Sequence, residues 1–574
     1  MNFCQVRRDS APNYDTLLSH SVLNYEEVDP MKRITKGILL GIASTFLTLP
    51  IRAATHAAAS CNAGDVQAAV NAAGQGDTVT IPAGKCVWTT GVTISGKGIA
   101  VQGQGSGRIV AYSATSLTLG SGSKTLSVLG TQVGGSLTIT PGDTLTVSET
   151  GNRQNYMIGT VTSYSAGTLV LNITMTGGAC GTSSDVTSPS NCKRWLISTQ
   201  PSTVIVNNSS STLFSVTEDS TFHTNLSGFQ IAQGTGAGTG VDFLNGGGQA
   251  ILLHDCWIQQ GGGDSVHTAV NRGVVWNCSF DATPFSRAPL GIHLQPYDQI
   301  AWSTVSYFGM NDTTGQHAFY VENSDFHAYL NAADNDEGAR SVWRYNLFNN
   351  AALGTHGVDT GPFGQRYFEF YNNVGAFNGF TDGTTFPMNW WLFVRGGTFV
   401  VTNNTLPAIQ SQDYGAKADI NMTVMNLQRN AGPNPCWGAG TTNGKDYSAP
   451  HQVGLGYVTG QGLDGLGRSS YSASSYGYAN PQYVGDSEPA YIWGNSRQPL
   501  GNIATSDYGP GNADSCSGSL DTSANYIVSG RDYFNGSAAK PGYTPYTYPH
   551  PLTQGNHITA TPVAPPTGFA ASAR

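Results

Sequence analysis

The sequence predicts an all-β chain wound as a right-handed parallel β-helix, a solenoid, and three observations lead there. The first is a repeat between His254 and Asn404, in which an apolar strand is closed by a polar residue and then an aromatic or aliphatic one. It runs through Asp255-Cys-Trp-Ile258, Asn277-Cys-Ser-Phe280, Ser303-Thr-Val-Ser306, Asn323-Ser-Asp-Phe326, Asn346-Leu-Phe348, Asn373-Val374 and Asn404-Thr-Leu406, in steps of 22, 26, 20, 23, 27 and 31 residues. The second is that no helical periodicity intervenes, so each unit must bury its apolar face on its neighbours. The third is composition: 574 residues with 72 glycines, 26 tyrosines and only 11% charged residues are rich in turn and strand formers. Polar residues recurring at one position would stack at the strand spacing of roughly 4.7–4.9 Å and satisfy one another through amide hydrogen bonds inside a bend.

The elements follow in chain order. Met31-Lys32-Arg33 through Lys36, the apolar run 37–51 and the alanine-rich sequence to Ala59 form the charged, apolar and small-residue regions of a secretion signal, with residues 1–30 a mis-assigned start upstream of Met31. The apolar run is short for a membrane anchor. The mature chain is therefore expected outside the cell or in a periplasm, with no membrane partner. The leader takes 6 basic and 5 acidic residues, leaving 21 and 31 and a net charge of −10, which argues against a nucleic-acid partner. Eight cysteines remain, an even number in an exported chain. Cys61 with Cys86 and Cys180 with Cys192 are the expected disulfides; Cys256 and Cys278, one coil apart, are either stacked thiols or a bridge, and Cys436 and Cys516 are unassigned.

Residues 60–112 read as an N-terminal cap and first coils. Asp65 as N-cap and the apolar face of Val66, Ala69, Val70 and Ala73 predict a short helix ending at Gly74 that plugs the first open coil, before the strand Asp77–Ile81. Residues 113–199 lose the period and show short alternating strands, an inserted small β-barrel-like module. The helix resumes over 200–437, residues 438–560 form an irregular proline-rich strap, and 561–574 a linker-like tail. Whether the protein is a monomer or a trimer is open.

Charge is scarce, so its concentration between Glu322 and Arg395 marks the candidate cleft. Catalytic candidates are Glu322, Arg344, His356, Asp359, Arg366, Glu369 and Arg395. Substrate-binding candidates are Tyr320, Arg340, Trp343, Trp390, Trp391 and Lys417, since ring faces beside charged hydrogen-bond partners suit a sugar. A lyase acting on an acidic glycan must neutralise a carboxylate with Arg, Lys or Ca²⁺ and remove the proton α to it, and the arginines fit that demand. A hydrolase needs paired carboxyls, which Glu322, Asp336, Glu337, Asp359 and Glu369 supply. Asp334, Asp336 and Glu337 offer hard oxygen ligands for Ca²⁺. A third possibility is a non-enzymatic adhesin or spike-like glycan-binding protein. Both catalytic readings expect Arg344→Ala or Arg395→Ala to remove activity while leaving folding intact.

Several segments resemble known families. Asp65-Val-Gln through Gly76-Asp-Thr-Val-Thr-Ile-Pro-Ala-Gly84 resembles the N-terminal cap of secreted pectate-lyase-like β-helix proteins. Pro141-Gly-Asp143, Asn155–Tyr164 and Trp195–Ser198 resemble a small β-barrel unit of phage tails and other extracellular proteins. Phe393-Val-Arg395-Gly-Gly-Thr resembles the strand of alginate-lyase and chondroitinase-B type lyases, which implies a catalytic-centre role for Arg395. The preceding coil, Arg366–Asn373, carries no lysine and Gly396 stands in place of a histidine, both departures from that pattern. Asn335-Asp336 and His356-Gly357 are similar to parts of the polygalacturonase motif. From Cys61 to Leu552 the likeness is to secreted β-helix proteins without an assigned activity, and it implies a polysaccharide substrate.

Overall fold

The computed structural model describes residues 53–131, 139–150, 154–179, 192, 194–259, 262–282, 290–296, 308–357, 364–377, 388–409, 418–424, 452–456, 487–500, 503–507 and 527–554. Their architecture is a right-handed parallel β-helix. Three long sheets, of twelve, eight and ten strands among the described residues, run along it with every pairing parallel, and successive strands of each sheet come from successive coils. Strands are short because the chain must leave each sheet after two to five residues to turn toward the next. Alternate side chains point inward, where rings stack coil upon coil: Phe280, Phe326 and Phe348 lie at centroid spacings of 4.7 and 5.3 Å.

The polar ladder exists, with its register one residue later in the early coils than the sequence reading placed it. Asp255, Asn277 and Asn323 have φ near +50° and make the bend itself, a conformation Asn and Asp tolerate. The residues stacked inside are those that follow, Cys256, Cys278 and Ser324, continuing into Asn346, Asn373, Asn404 and Asn495. Oδ1 of Asn373, Asn404 and Asn495 accepts from the backbone N–H of the asparagine one coil before at 2.9–3.0 Å, while each Nδ2 donates to a carbonyl of a neighbouring coil. Cys256 and Cys278 are buried free thiols. The repeat at Ser303–Ser306 lies outside the described residues, and Gly273–Trp276 pairs directly with Phe319–Glu322. Asn373→Ala strands the Asn346 N–H and removes three further hydrogen bonds in a dry interior, so thermal unfolding is expected to register a loss of about 2–4 kcal/mol.

Thr55–Ala57, within the segment expected to be leader, pairs with Thr78–Thr80; the expected secretion signal otherwise lies outside the described residues. The capping helix spans Ala63–Ala72 and buries Ala63, Val66, Ala69 and Val70. Its N-cap is Asn62, not Asp65, which sits in the first turn and accepts from the Ser60 hydroxyl at 2.5 Å. Lys97 Nζ donates to the Val70 and Ala73 carbonyls at the other end, where terminal carbonyls lack helical partners. Cys61 and Cys86 form a disulfide. Cys192 is disulfide-bonded; Cys180, its expected partner, lies outside the described residues, as do Cys436 and Cys516.

The insertion runs from Ile109–Ser113 to Trp195–Thr199 as a seven-stranded antiparallel sheet with its own core. It leaves after the first coil and returns into the second: Thr203–Asn207 pairs with Gly84–Trp88 as if nothing intervened. Beyond residue 437 the chain is more regular than an irregular strap. Ala490–Trp493, Ile503–Asp507 and Tyr533–Asn535 extend the long sheets, and among the described residues it is the segment following Asn535 that crosses the outside of the twelve-stranded sheet. No helix among the described residues is long and apolar enough to cross a membrane.

Candidate functional site

The residues singled out in the sequence divide between two faces and the core. Trp343 and Trp391 are core, with indole N–H groups donating to Ser341 Oγ and the Pro407 carbonyl at 2.9 Å, so neither offers a ring to a ligand. Asp359 and Lys417 lie outside the described residues.

The outward side of the twelve-stranded sheet carries Tyr320, Glu322, Arg340, Arg344 and Glu369, and the strap covers most of it. Arg344 is fully buried: Nε donates to Glu322 Oε2 at 2.7 Å, and Nη1 to Tyr371 Oη and the Tyr546 carbonyl at 2.9 Å. Glu322 also accepts the His550 N–H at 2.9 Å, and Glu369 accepts the Tyr543 hydroxyl at 2.5 Å and the Gly309 N–H at 2.9 Å. Burial raises the Glu369 carboxyl above its ordinary range despite those donors. Tyr320 packs on His550 at 4.5 Å, and Tyr345, at φ +56°, stacks on Tyr548 at 3.6 Å. Arg366 is buried against Glu488 at 3.0 Å. Half-buried Arg340 sits at the start of its strand on the same face. In place of an open cleft, Glu322, Arg344 and Glu369 form the seat of a latch.

The ten-stranded sheet presents a different surface. Its parallel register aligns Ser215, Asp242, His267, His293, Asp334, Gly354 and Phe393 at one outward position of successive coils. The span from Asp242 to Phe393 is roughly 24 Å at the usual strand spacing. Two residues along the same strands come Asp336, His356 and Arg395. His267 Nδ1 meets Asp242 Oδ1 at 2.7 Å, and His293 Nδ1 meets Asp264 Oδ2 at 3.0 Å. The two imidazoles meet edge to face at 5.3 Å. His356 bridges Asp334 through Nε2 at 2.9 Å and Asp336 through Nδ1 at 3.2 Å. Arg395 reaches Asp334 at 3.2 Å, binds the Thr355 carbonyl through Nε and lies over the Phe393 ring. Trp390, stacked on Phe393 at 4.7 Å, extends an aromatic end to the row. His267, Asp242 and His293 keep 22%, 20% and 18% of their side chains exposed, against none for Arg344, so the Asp–His dyads are the accessible part of this face, while Asp334, Asp336 and Arg395 are buried beside them.

The ionisation pattern follows from the pairing. Burial and the Arg395 cation work against protonation of His356, but Asp334 and Asp336 win and push it up to about 10. Burial would raise Asp334; His356 and Arg395 instead hold it well below the carboxylate range. Burial disfavours the His267 cation, and the hydrogen bond and charge of Asp242 overcome this, raising its pKa. His356 is thus bound more tightly as a cation in the folded state. Its contribution is full below its ordinary value of 6.5 and is lost as pH rises through about 10. Asp334 acts oppositely: its contribution is present above the ordinary carboxylate value and fades as pH falls below it. Thermal unfolding is expected to show the melting temperature falling as pH rises from about 6.5 to about 10, and less so in His356→Gln.

Asp334 and Asp336 are held by His356 and Arg395, and among the described residues no three ligating side chains gather around a common cation position. The donor set therefore does not fit the Ca²⁺ site expected at Asp334, Asp336 and Glu337. Of the residues singled out in the sequence, this face gathers Asp334, Asp336, His356, Arg395 and Trp390. Asp242, Asp264, His267 and His293 escaped notice. Their signal was the three-residue strand with a polar centre, Val241-Asp-Phe243, Val266-His-Thr268, Ile292-His-Leu294 and Ala333-Asp-Asn335, repeated from coil to coil.

No family model and no curated protein matches the chain. Among solved structures it is similar to an alginate lyase from Paenibacillus sp., at 12% identity over 79% of this chain and 99% of that one, with a TM-score of 0.29. An exopolygalacturonase of Yersinia enterocolitica matches at 10% identity over 64% and 74%, with a TM-score of 0.24. The tailspike of Acinetobacter baumannii bacteriophage AP22, solved with a capsular saccharide, matches at 9% identity over 75% and 68%, with a TM-score of 0.15. Superpositions this loose carry no argument about the site, which rests on its own geometry.

Proposed function

We propose that the protein is a polysaccharide lyase that cleaves a uronic-acid-containing glycan by β-elimination on the outward face of the ten-stranded sheet. The observation that carries this reading is the adjacent pair of Asp–His dyads next to Arg395 and His356. An aspartate on Nδ1 fixes the imidazole tautomer and leaves the other ring nitrogen for proton transfer, shared at His267 with the Gln295 side chain. His293, between His267 and the Arg395–His356 cations, is assigned as the base. Its Nε2 takes the proton α to the substrate carboxylate, the electron pair forms the ring double bond, and the glycosidic C–O bond breaks. His267, favoured as a cation by Asp242, returns a proton to the leaving oxygen. Arg395 and His356 oppose the charge that grows on the carboxylate during proton removal. Half-buried Trp390, held by its stack on Phe393, supplies a ring face for the chain beyond the cleaved bond.

Hydrolysis fits this geometry less well. It requires a carboxylic acid held protonated, whereas Asp334 is driven the other way and Glu369, raised by burial, sits beneath the strap. The test is the pH dependence of kcat/KM on the responsive polymer. A bell is expected whose alkaline limb reports His267 and lies above the ordinary histidine value, because the raised pKa keeps the acid protonated there. In His267→Gln that limb disappears. An alkaline limb unchanged in His267→Gln would remove His267 from the acid role.

A further inference from the structure

The insertion does not lie flush on the β-helix. It is pinned at one place by Ile109, Tyr112 and Leu196 packed with Trp257 from the helix, by Tyr112 Oη bonded to His327, and by Arg108 bonded to Asn277 at 2.9 Å. Beside that seam the two surfaces part around a cleft of 720 Å³. Its floor is the outward side of the eight-stranded sheet, where Gln230 and Trp257 stand in register on successive coils with Gln259 alongside. Its wall is the outer face of the module, Thr146, Ser148, Tyr156 and Ile158, whose neighbours Leu145, Val147 and Met157 fill the module's own core.

The lining is unlike an interface. Two domains packed for stability fill the gap between them, whereas here amide and hydroxyl side chains, interleaved with Val204, Val206, Ala232 and Pro201, surround an open volume within the usual range of ligand pockets. Among the described residues no carboxylate lines it, and the single charged side chain there, Lys85, is exposed. Trp257 supplies a second, independent sign. The residue is 6% exposed and lines the cleft, yet its Nε1 donor, itself buried, has no acceptor among the described residues. A buried N–H without a partner is costly and calls for an acceptor from elsewhere.

We propose that this cleft is a carbohydrate-binding site, separate from the histidine–aspartate face, for an uncharged, hydroxyl-rich oligosaccharide. Glutamine amides both donate and accept, which matches hydroxyls that do the same, and the Trp257 N–H completes its bonding on a sugar oxygen while Tyr156 offers a ring face. Carboxylate or phosphate recognition would need fixed cations, which the lining lacks among the described residues. The site would hold the enzyme to a neutral polymer while the other face acts, and it stands whether or not that face is a lyase.

Titration calorimetry of the full chain against neutral hexasaccharides of glucose, mannose, galactose and xylose, with a galacturonate hexasaccharide alongside, tests this. One neutral class is expected to bind saturably, with affinity falling about tenfold in Trp257→Phe, which keeps a ring and removes the donor, and in Gln230→Leu. Circular dichroism identifies any variant that fails to fold, and Trp257→Phe keeps the test decisive if Gln230→Leu does. Absence of neutral binding up to millimolar concentration, affinity unchanged in the folded variants, or tighter binding of the galacturonate at these residues would each overturn the proposal.

Discussion

Replacing His293 by glutamine is expected to lower kcat on the responsive polymer by about 10²- to 10⁴-fold, the usual contribution of a positioned base, with KM little changed. Glutamine preserves size and keeps a partner for Asp264, which His293 otherwise engages at 3.0 Å, so folding should survive. The variant loses only the imidazole that accepts the proton. Asp264→Asn is expected to act through the same ring, leaving a weaker and misoriented base, so the two substitutions together should cost little more than His293→Gln alone. Additive losses would mean that Asp264 and His293 do not act as a unit.

Arg344→Ala, by contrast, is expected to destabilise the chain by about 3–5 kcal/mol while leaving turnover per folded molecule unchanged. The substitution leaves Glu322 buried with the His550 N–H as its remaining donor and frees the Tyr546 carbonyl and Tyr371 hydroxyl. The strap then loses its anchor at the point where it crosses the Phe319–Glu322 and Arg340–Arg344 strands. Glu322→Gln combined with Arg344→Leu should recover part of the loss, because it removes both buried charges together. Denaturant titration reads the stability, and an initial rate normalised to folded protein reads the activity. The outcome separates the two faces, since the residue most attractive in the sequence as a carboxylate clamp is predicted to matter only for folding.

Periodicity made the solenoid legible, because an inward position must be filled in every coil and the asparagines and phenylalanines repeat accordingly. The insertion was legible for the complementary reason, as the place where the period stops. Side-chain direction was not. Arg344 and Arg395 look alike in sequence, each beside aromatic residues at the end of a short strand, yet one faces the sheet that the strap covers and the other the sheet that carries the histidines. Which sheet is covered depends on where residues 540–553 return after nearly two hundred intervening positions, and no local pattern encodes that. The ladder from Asp242 to Asp334 stayed hidden because it follows a different sheet from the asparagine stack. The one-residue register error at Asp255, Asn277 and Asn323 arose because an Asn that makes a left-handed bend and an Asn that stacks inside it are the same letter.

β-Elimination on the outward face of the ten-stranded sheet leaves an unsaturated uronide at the new chain end. The most direct measurement is the ultraviolet absorbance of unsaturated uronides during incubation of the chain with a panel of acidic polysaccharides, with and without Ca²⁺, for the wild type, His293→Gln and Arg344→Ala. A rise is expected on one polymer, vanishing in His293→Gln and persisting in whatever Arg344→Ala remains folded. New reducing ends without absorbance would contradict elimination, and a rise undiminished in His293→Gln would contradict the site.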